Sequence, residues 1–373
     1  MKKYISIISA AILLGSMMLL GGCNKSPFSH KGELITFGTA SGGAVTRTQY
    51  GDDFTSGGKN YQSIDWNTGD IVRVISPEAA VTNNGSDLHY ADYRIVSATN
   101  TTGVSEGKVE NVNGNGLAWT GKDTYSFYAV FPSTTPISLE DATYGQVTAD
   151  FIKAEQTLPS STTTKTVGEG DAAIEYTVYT PDIKSAVMTA VATGVKENDE
   201  QPQVKLHFKP AWTAVEFNLS SQDDDIAVTE VQLVADAESN DYLAGPFTMT
   251  AGNLASAAVT TADASKTVTM TMENVTVTKT EGATFMMLLL PVANENPLTL
   301  RLTSTEGEGT KTSVVTLTRT VDGDKMPFIF EPGKKYRINA LKAPGSSWKI
   351  FIATDILNVE EWGDPVDTTL IVE

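Results

Sequence analysis

Val204-Lys205-Leu206-His207-Phe208 decides the fold: on an extended backbone Val204, Leu206 and Phe208 point one way, while Lys205, His207 and Lys209 point the other. The same period of two sets Val268, Met270 and Met272 against Thr267, Thr269 and Thr271. It returns in Leu298, Leu300 and Leu302 against Thr299, Arg301 and Thr303. From Gly32 onward, short runs rich in Val, Ile, Thr, Tyr and Phe are separated by Gly, Asn, Asp and Pro, the punctuation of strands and turns. Strands with one dry and one wet face pack as antiparallel sheets in sandwiches. Helical periodicity is nearly absent. Its best stretch, residues 181–192, mixes Ala and Met with β-branched residues and supports no more than one or two helical turns.

The expected fold class is therefore all-β, with two antiparallel β-sandwich domains in series. Residues 196–203, KENDEQPQ, interrupt the alternation with charge, amide and proline, which predicts domains over 32–202 and 203–373. Residues 160–171, SSTTTKTVGEGD, read as a mobile surface loop. Residues 23–31, CNKSPFSHK, have the polar, proline-containing character of a tether.

Ahead of that tether, Lys2-Lys3 precedes an apolar run that ends in Leu19-Leu20-Gly21-Gly22, directly before Cys23, the one cysteine of 373 residues. A charged start, an apolar core too short for a typical bilayer span and small residues before a cysteine predict a lipoprotein signal peptide over 1–22, with acylation at Cys23. Lipidation there occupies the sole thiol, so stability must come from burial of apolar surface. Without Lys2 and Lys3, the 27 basic residues become 25 against 45 acidic ones, a net charge of −20. A surface of that sign repels nucleic acid and anionic lipid heads, and no nucleic-acid partner is expected.

Several segments, in order, carry a resemblance to a known family. They are Leu34-Ile35-Thr36-Phe37 followed by Thr46-Arg47-Thr48, then the stretch from Trp66-Asn67-Thr68-Gly69-Asp70 to Val74, then Tyr125-Ser126-Phe127-Tyr128-Ala129-Val130-Phe131-Pro132. Gln156, Val204 to Phe208, Ala214 to Phe217 and Val359-Glu360-Glu361-Trp362-Gly363 complete the set. Together with the lipoprotein signal, this order resembles the fimbrillins, type V pilus subunits built from two β-sandwich domains. The resemblance implies a non-enzymatic fimbrial subunit, exported as an outer-membrane lipoprotein, displayed at the cell surface and serving adhesion. It implies as partners other fimbrial subunits, in a homo- or heteropolymer, the outer membrane through the lipid, and a host receptor or glycan.

The resemblance also implies an assembly scheme. An arginine-specific or trypsin-like protease would cut after Arg47 and release the strand holding Leu34, Ile35 and Phe37. A strand from a neighbouring subunit would fill the groove lined by whatever packs on Ile35 and Phe37, or on Leu34 in the other register. The candidate donor is the tail 364–373, where Val366, Leu370 and Val372 alternate with Asp367, Ile371 and Glu373. Burying three such side chains is worth ~5 to 9 kcal/mol before ordering costs. Tip and anchor subunits of such pili differ in cutting and donation, and a glycan-binding surface lipoprotein is a further alternative. That last reading needs two or more of Trp119, Trp212, Trp348, Tyr242 and neighbouring aromatics exposed as a stacking platform.

Catalytic signals are sparse. His30, His89 and His207 lack metal-ligand spacing, and no HExxH or nucleophile elbow occurs. Gly168-Glu169-Gly170 leads into a strand pattern instead of a helix, unlike a dinucleotide loop. Asp223-Asp224-Asp225 lacks the alternating ligands and turn glycine of a calcium loop. No catalytic residue, cofactor or metal is expected.

Overall fold

The computed structural model describes residues 31–359 apart from 41–48, 57–58, 82–87, 102–103, 171–172, 182, 184, 197–203, 223–224, 307–308, 322–323, 344–347 and 353–356. Strands dominate, and among the described residues there is no α-helix, only short 3-10 turns such as Val112–Gly114 and Asp141–Thr143. The stretch 181–192 holds buried Ile183, Ala186 and Val187 and then enters the strand Met188–Val195. Its β-branched residues pair better than they coil.

An eight-stranded sheet runs, edge to edge, Val204–Leu206, Phe37–Ala40, Val104–Asn111, Tyr90–Thr101, Ile71–Ile75, Tyr125–Phe131, Met188–Val195 and Lys209–Pro210. A larger mixed sheet is ordered Thr162–Val167, Ile174–Tyr179, Glu281–Leu289, Thr213–Ser221, Lys334–Lys342, Leu357–Val359, Lys59–Asp65 and Gln49–Ser56, with Trp348–Ile352 also on Lys334–Lys342. A five-stranded sheet, ordered Glu155–Thr157, Thr267–Val277, Ile226–Val234, Thr299–Glu306 and Gly309–Thr316, is the second layer of a sandwich with it. Trp348 spans the two layers, its Nε1–H donating to Ser304 Oγ at 3.4 Å.

The alternation read from sequence matches burial. Val204, Leu206 and Phe208, then Val268, Met270 and Met272, then Leu298, Leu300 and Leu302 are all buried. Tyr125, Phe127, Ala129 and Phe131 share one buried face. Trp66 closes the end of that core edge-on to Phe131 at 5.2 Å and Phe208 at 5.1 Å. The turn after it places Gly69 at φ +102°, where a side chain would be strained, and Asp70 Oδ2 accepts the Asn67 N–H at 3.0 Å.

Two features depart from the sequence reading. Among the described residues pairings are mostly antiparallel, but five are parallel, among them Phe37–Ala40 with Val204–Leu206 and Thr213–Ser221 with Lys334–Lys342. Residues 162–167, expected within a mobile loop, form a strand paired over six residues with Ile174–Tyr179. Threonine is β-branched, and a sheet edge tolerates a strand wet on both faces.

Hydrogen bonding also interleaves across residues 202 and 203. Val204–Leu206 and Lys209–Pro210 belong to the first sheet, whereas Gln146–Ala149, Glu155–Thr157 and Ile174–Tyr179 pair with Phe247–Thr250, Thr267–Val277 and Glu281–Leu289. One continuous buried cluster runs from Ile35 and Phe37 to Ile338 and Trp348.

Candidate functional site

The segment that begins the described chain is hydrogen-bonded along both edges, first to the Leu117–Ala118 strand and then within the first sheet. Gly32 N–H donates to Trp119 O at 2.8 Å, Trp119 N–H to Glu33 O at 3.0 Å, and Ile35 N–H to Leu117 O at 2.8 Å. On the opposite side Val204 N–H donates to Thr36 O at 2.8 Å. Phe37–Ala40 then pairs parallel with Val204–Leu206 and antiparallel with Lys108, Gly107 and Glu106, three residue pairs on each side. Removing this strand opens an interior slot of the sheet, with ladder partners on both walls.

Its side chains alternate as an amphipathic strand must. Leu34 is 48% exposed, Ile35 3%, and Phe37 1%, with Thr36 exposed between them. The buried pair is thus Ile35 and Phe37, and Leu34 lies on the outer face over Gly116, whose missing Cβ would stand 2.9 Å from Leu34 Cδ2. The Phe37 ring is walled edge-on by Tyr93 at 5.0 Å and Phe127 at 5.2 Å. Tyr93 is held in place because its hydroxyl accepts the Leu117 N–H at 2.8 Å, and burial pushes its pKa well above the usual phenol range. Beside it, the Tyr125 hydroxyl accepts the N–H groups of Thr120, Gly121 and Lys122 at 2.9 to 3.0 Å, fixing the loop after Trp119. Transfer of two such apolar side chains from water is worth ~3 to 6 kcal/mol.

A second, polar cluster lies in the mixed sheet. Val215, Phe217 and Leu219 face the sandwich core, where Phe217 stacks on Phe285 at 5.2 Å. On the other face, Glu216 is 7% exposed and is gripped by Lys335 Nζ and Arg337 Nε, each at 2.5 Å, with Lys165 Nζ at 4.0 Å. Burial alone would raise its pKa, but the charges of Lys335, Arg337 and Lys165 outweigh that and hold it at about 2. Asn218 extends the ladder: its Oδ1 accepts from Thr284 Oγ1 at 2.7 Å and Lys165 Nζ at 3.2 Å, and its Nδ2 donates to Asn339 Oδ1 at 2.8 Å. This carboxylate is permanently paired, which suits a structural brace and not a proton carrier.

Gln156 couples the layers differently. Its side-chain amide donates to Leu288 O at 2.8 Å and accepts from Leu288 N–H at 3.0 Å, substituting for a missing strand at that edge. A cleft of about 250 Å³ lies between residues 150–154 and 244–246, lined also by Asp263 and Ser265, with Lys153 ion-paired to Asp150 at 2.8 Å.

Among the described residues, no three His, Cys, Asp or Glu side chains are grouped to hold a metal. His89 Nδ1 is hydrogen-bonded to Ala79 O at 2.7 Å. The glycine stretch at 168–170 lies between the paired strands Thr162–Val167 and Ile174–Tyr179, so the chain beyond it enters a strand. Trp212 and Trp348 are buried, and Trp119 packs edge-on to Tyr125 at 4.6 Å, so these rings form no open platform. Tyr242 is partly covered, with Lys266 Nζ 5.5 Å from its ring centre. Cys23, Arg47, Val366, Leu370 and Val372 lie outside the described residues, as do His30, Asp223 and Asp224. The Glu216 brace escaped the sequence reading; the alternation of Glu216 and Asn218 with Val215, Phe217 and Leu219 looks like a wet face, and only Lys335 and Arg337 at matching spacing hint otherwise.

The pattern that defines the fimbrillin-like family matches residues 46–343. The chain belongs to that family. Among curated proteins, none matches it. The fimbrillin-like fold recurs in the crystal structure of a candidate cell adhesion protein from Bacteroides uniformis, at 13% identity and a TM-score of 0.51, over 88% of this chain and 98% of that one. A candidate cell adhesion protein from Bacteroides ovatus is similar at 14% identity and a TM-score of 0.47, over 89% and 99% of the two chains. A fimbrial protein from Bacteroides ovatus matches at 12% identity and a TM-score of 0.34, over 83% of this fimbrillin-like chain and 50% of its own.

Proposed function

We propose that this chain is a non-enzymatic fimbrial subunit for adhesion, exported as an outer-membrane lipoprotein acylated at Cys23 and assembled at the cell surface by strand exchange. A trypsin-like or arginine-specific protease cuts after Arg47. The segment holding Leu34, Ile35 and Phe37 leaves with the lipid, and a neighbour's strand, from a tail such as 364–373 with Val366, Leu370 and Val372, takes its place. The observation that carries this reading is the slot of the first sheet: the short strand Phe37–Ala40, laddered on both sides, with Phe37 and the preceding Ile35 buried. Membership of the fimbrillin-like family supports the fimbrial role, its partnership with other subunits and the absence of catalysis. The buried Trp212 and Trp348 speak against the glycan-platform alternative.

Limited digestion of the mature protein with trypsin, followed by N-terminal sequencing and sizing, tests it. The expected result is a new N-terminus at Thr48 and a ladder of oligomers. A monomer after that cut points to a tip or anchor subunit lacking a working donor. Resistance at Arg47 overturns release by proteolysis.

A further inference from the structure

From the shape of this slot we infer that it selects a donor strand carrying an aromatic residue two positions from a branched aliphatic one, and so takes a different subunit's strand in preference to this chain's own tail. The inference rests on the strand-replacement reading above and names the partner that reading leaves open. Two neighbouring positions of the slot are chemically unlike. One holds the branched aliphatic Ile35, and the other holds the Phe37 ring between the edge-on rings of Tyr93 and Phe127. Tyr93 is tied to Leu117 N–H through its hydroxyl, and Phe127 sits within the strand Tyr125–Phe131 in parallel stacking with Tyr125, their centres 6.1 Å apart. Walls fixed in this way do not collapse onto a smaller side chain, so an aliphatic residue at the Phe37 position leaves a void.

The tail lacks the required pair in either direction. Residues 364–373, DPVDTTLIVE, hold no aromatic residue, and the nearby Trp362 has Glu360 and Asp364 two positions away on its two sides. Seating Trp362 at the aromatic position would push a carboxylate into the dry site of Ile35. Val366, Leu370 and Val372 seat aliphatics but leave the Tyr93 and Phe127 walls unfilled. The pattern is independent of strand direction, because the two positions differ by two residues whichever way the donor runs.

The test uses the full mature chain cut after Arg47 and three synthetic peptides: residues 33–40, the tail 364–373, and the tail with Thr368→Phe, which sets an aromatic two positions from Val366. Retention on the protein is followed by size exclusion and by dissociation rate. The 33–40 peptide and the Thr368→Phe tail are expected to be held, with the unaltered tail leaving at least about tenfold faster. A native tail retained as long as the 33–40 peptide overturns the selectivity while strand replacement stands. Equal loss of the Thr368→Phe and native tails, with 33–40 held, overturns it as well. Failure of even the 33–40 peptide to be retained overturns strand replacement itself and the selectivity with it.

Discussion

The strands Phe37–Ala40 and Thr213–Ser221 both lie inside a sheet, yet they are secured in different ways. The first forms three residue pairs with each neighbour and contributes Phe37 to a dry aromatic slot. The second forms seven pairs with Glu281–Leu289 and eight with Lys334–Lys342, and it carries on its two faces the Phe217 stack and the Glu216 brace. A short ladder with apolar filling can be re-formed by any extended segment of matching shape, because backbone hydrogen bonds are generic. A long ladder locked by charges at defined registers accepts no substitute. Under the proposed strand exchange, the difference separates the element to be replaced from the one that stays.

The sharpest way to break this contrast is to disarm the brace. Lys335→Ala leaves Glu216 buried with a partner missing, and a loss of about 3 to 5 kcal/mol in urea unfolding is expected. An unchanged midpoint would make the cluster ornamental. Phe37→Ala is expected to cost about 3 kcal/mol at the slot. In contrast to the brace variant, its effect should concentrate in hydrogen exchange of residues 35–40, with 213–221 left protected; equal loosening of both would erase the distinction.

Acid sharpens the comparison at the same site. Glu216 titrates at about 2 when folded, below its ordinary value of 4.5, so its contribution is fully present above about pH 5 and is lost as pH falls through about 2. The shift corresponds to about 3 kcal/mol, read as a fall in urea midpoint across that window. Glu216→Gln should be weaker at neutral pH and show a flatter acid slope. A smaller effect is expected from Gln156→Leu, which strands the N–H and C=O of Leu288 and should cost about 1 to 2 kcal/mol by thermal unfolding. A neutral result there would mean water replaces the amide.

Strand faces were legible in the sequence because the period of two is local: Val204, Leu206 and Phe208 are as buried as their alternation requires. Pairing was not, since nothing near Val204 indicates that it lies parallel to Phe37, far earlier in the chain. For the same reason nothing local indicates that strands on either side of residues 196–203 pair with one another, as register depends on residues that meet only after folding. Ile35 and Phe37 were recognisable as one face, but not the rings of Tyr93 and Phe127 that give the slot its shape. Glu216 shows the converse: a charge in an alternating strand signals solvent unless its counter-charges, Lys335 and Arg337, are known to sit beside it. Gly282 is similar, ordinary in sequence but needed where a Cβ would approach the Tyr176 ring to 2.5 Å and Leu219 O to 2.8 Å.

Hydrogen exchange by mass spectrometry, before and after a cut at Arg47, tests the replaceable-strand claim most directly. The account predicts that amides 35–40 become at least about tenfold less protected than amides 215–219 once the cut is made. Protection of both segments to the same level after cutting would contradict it.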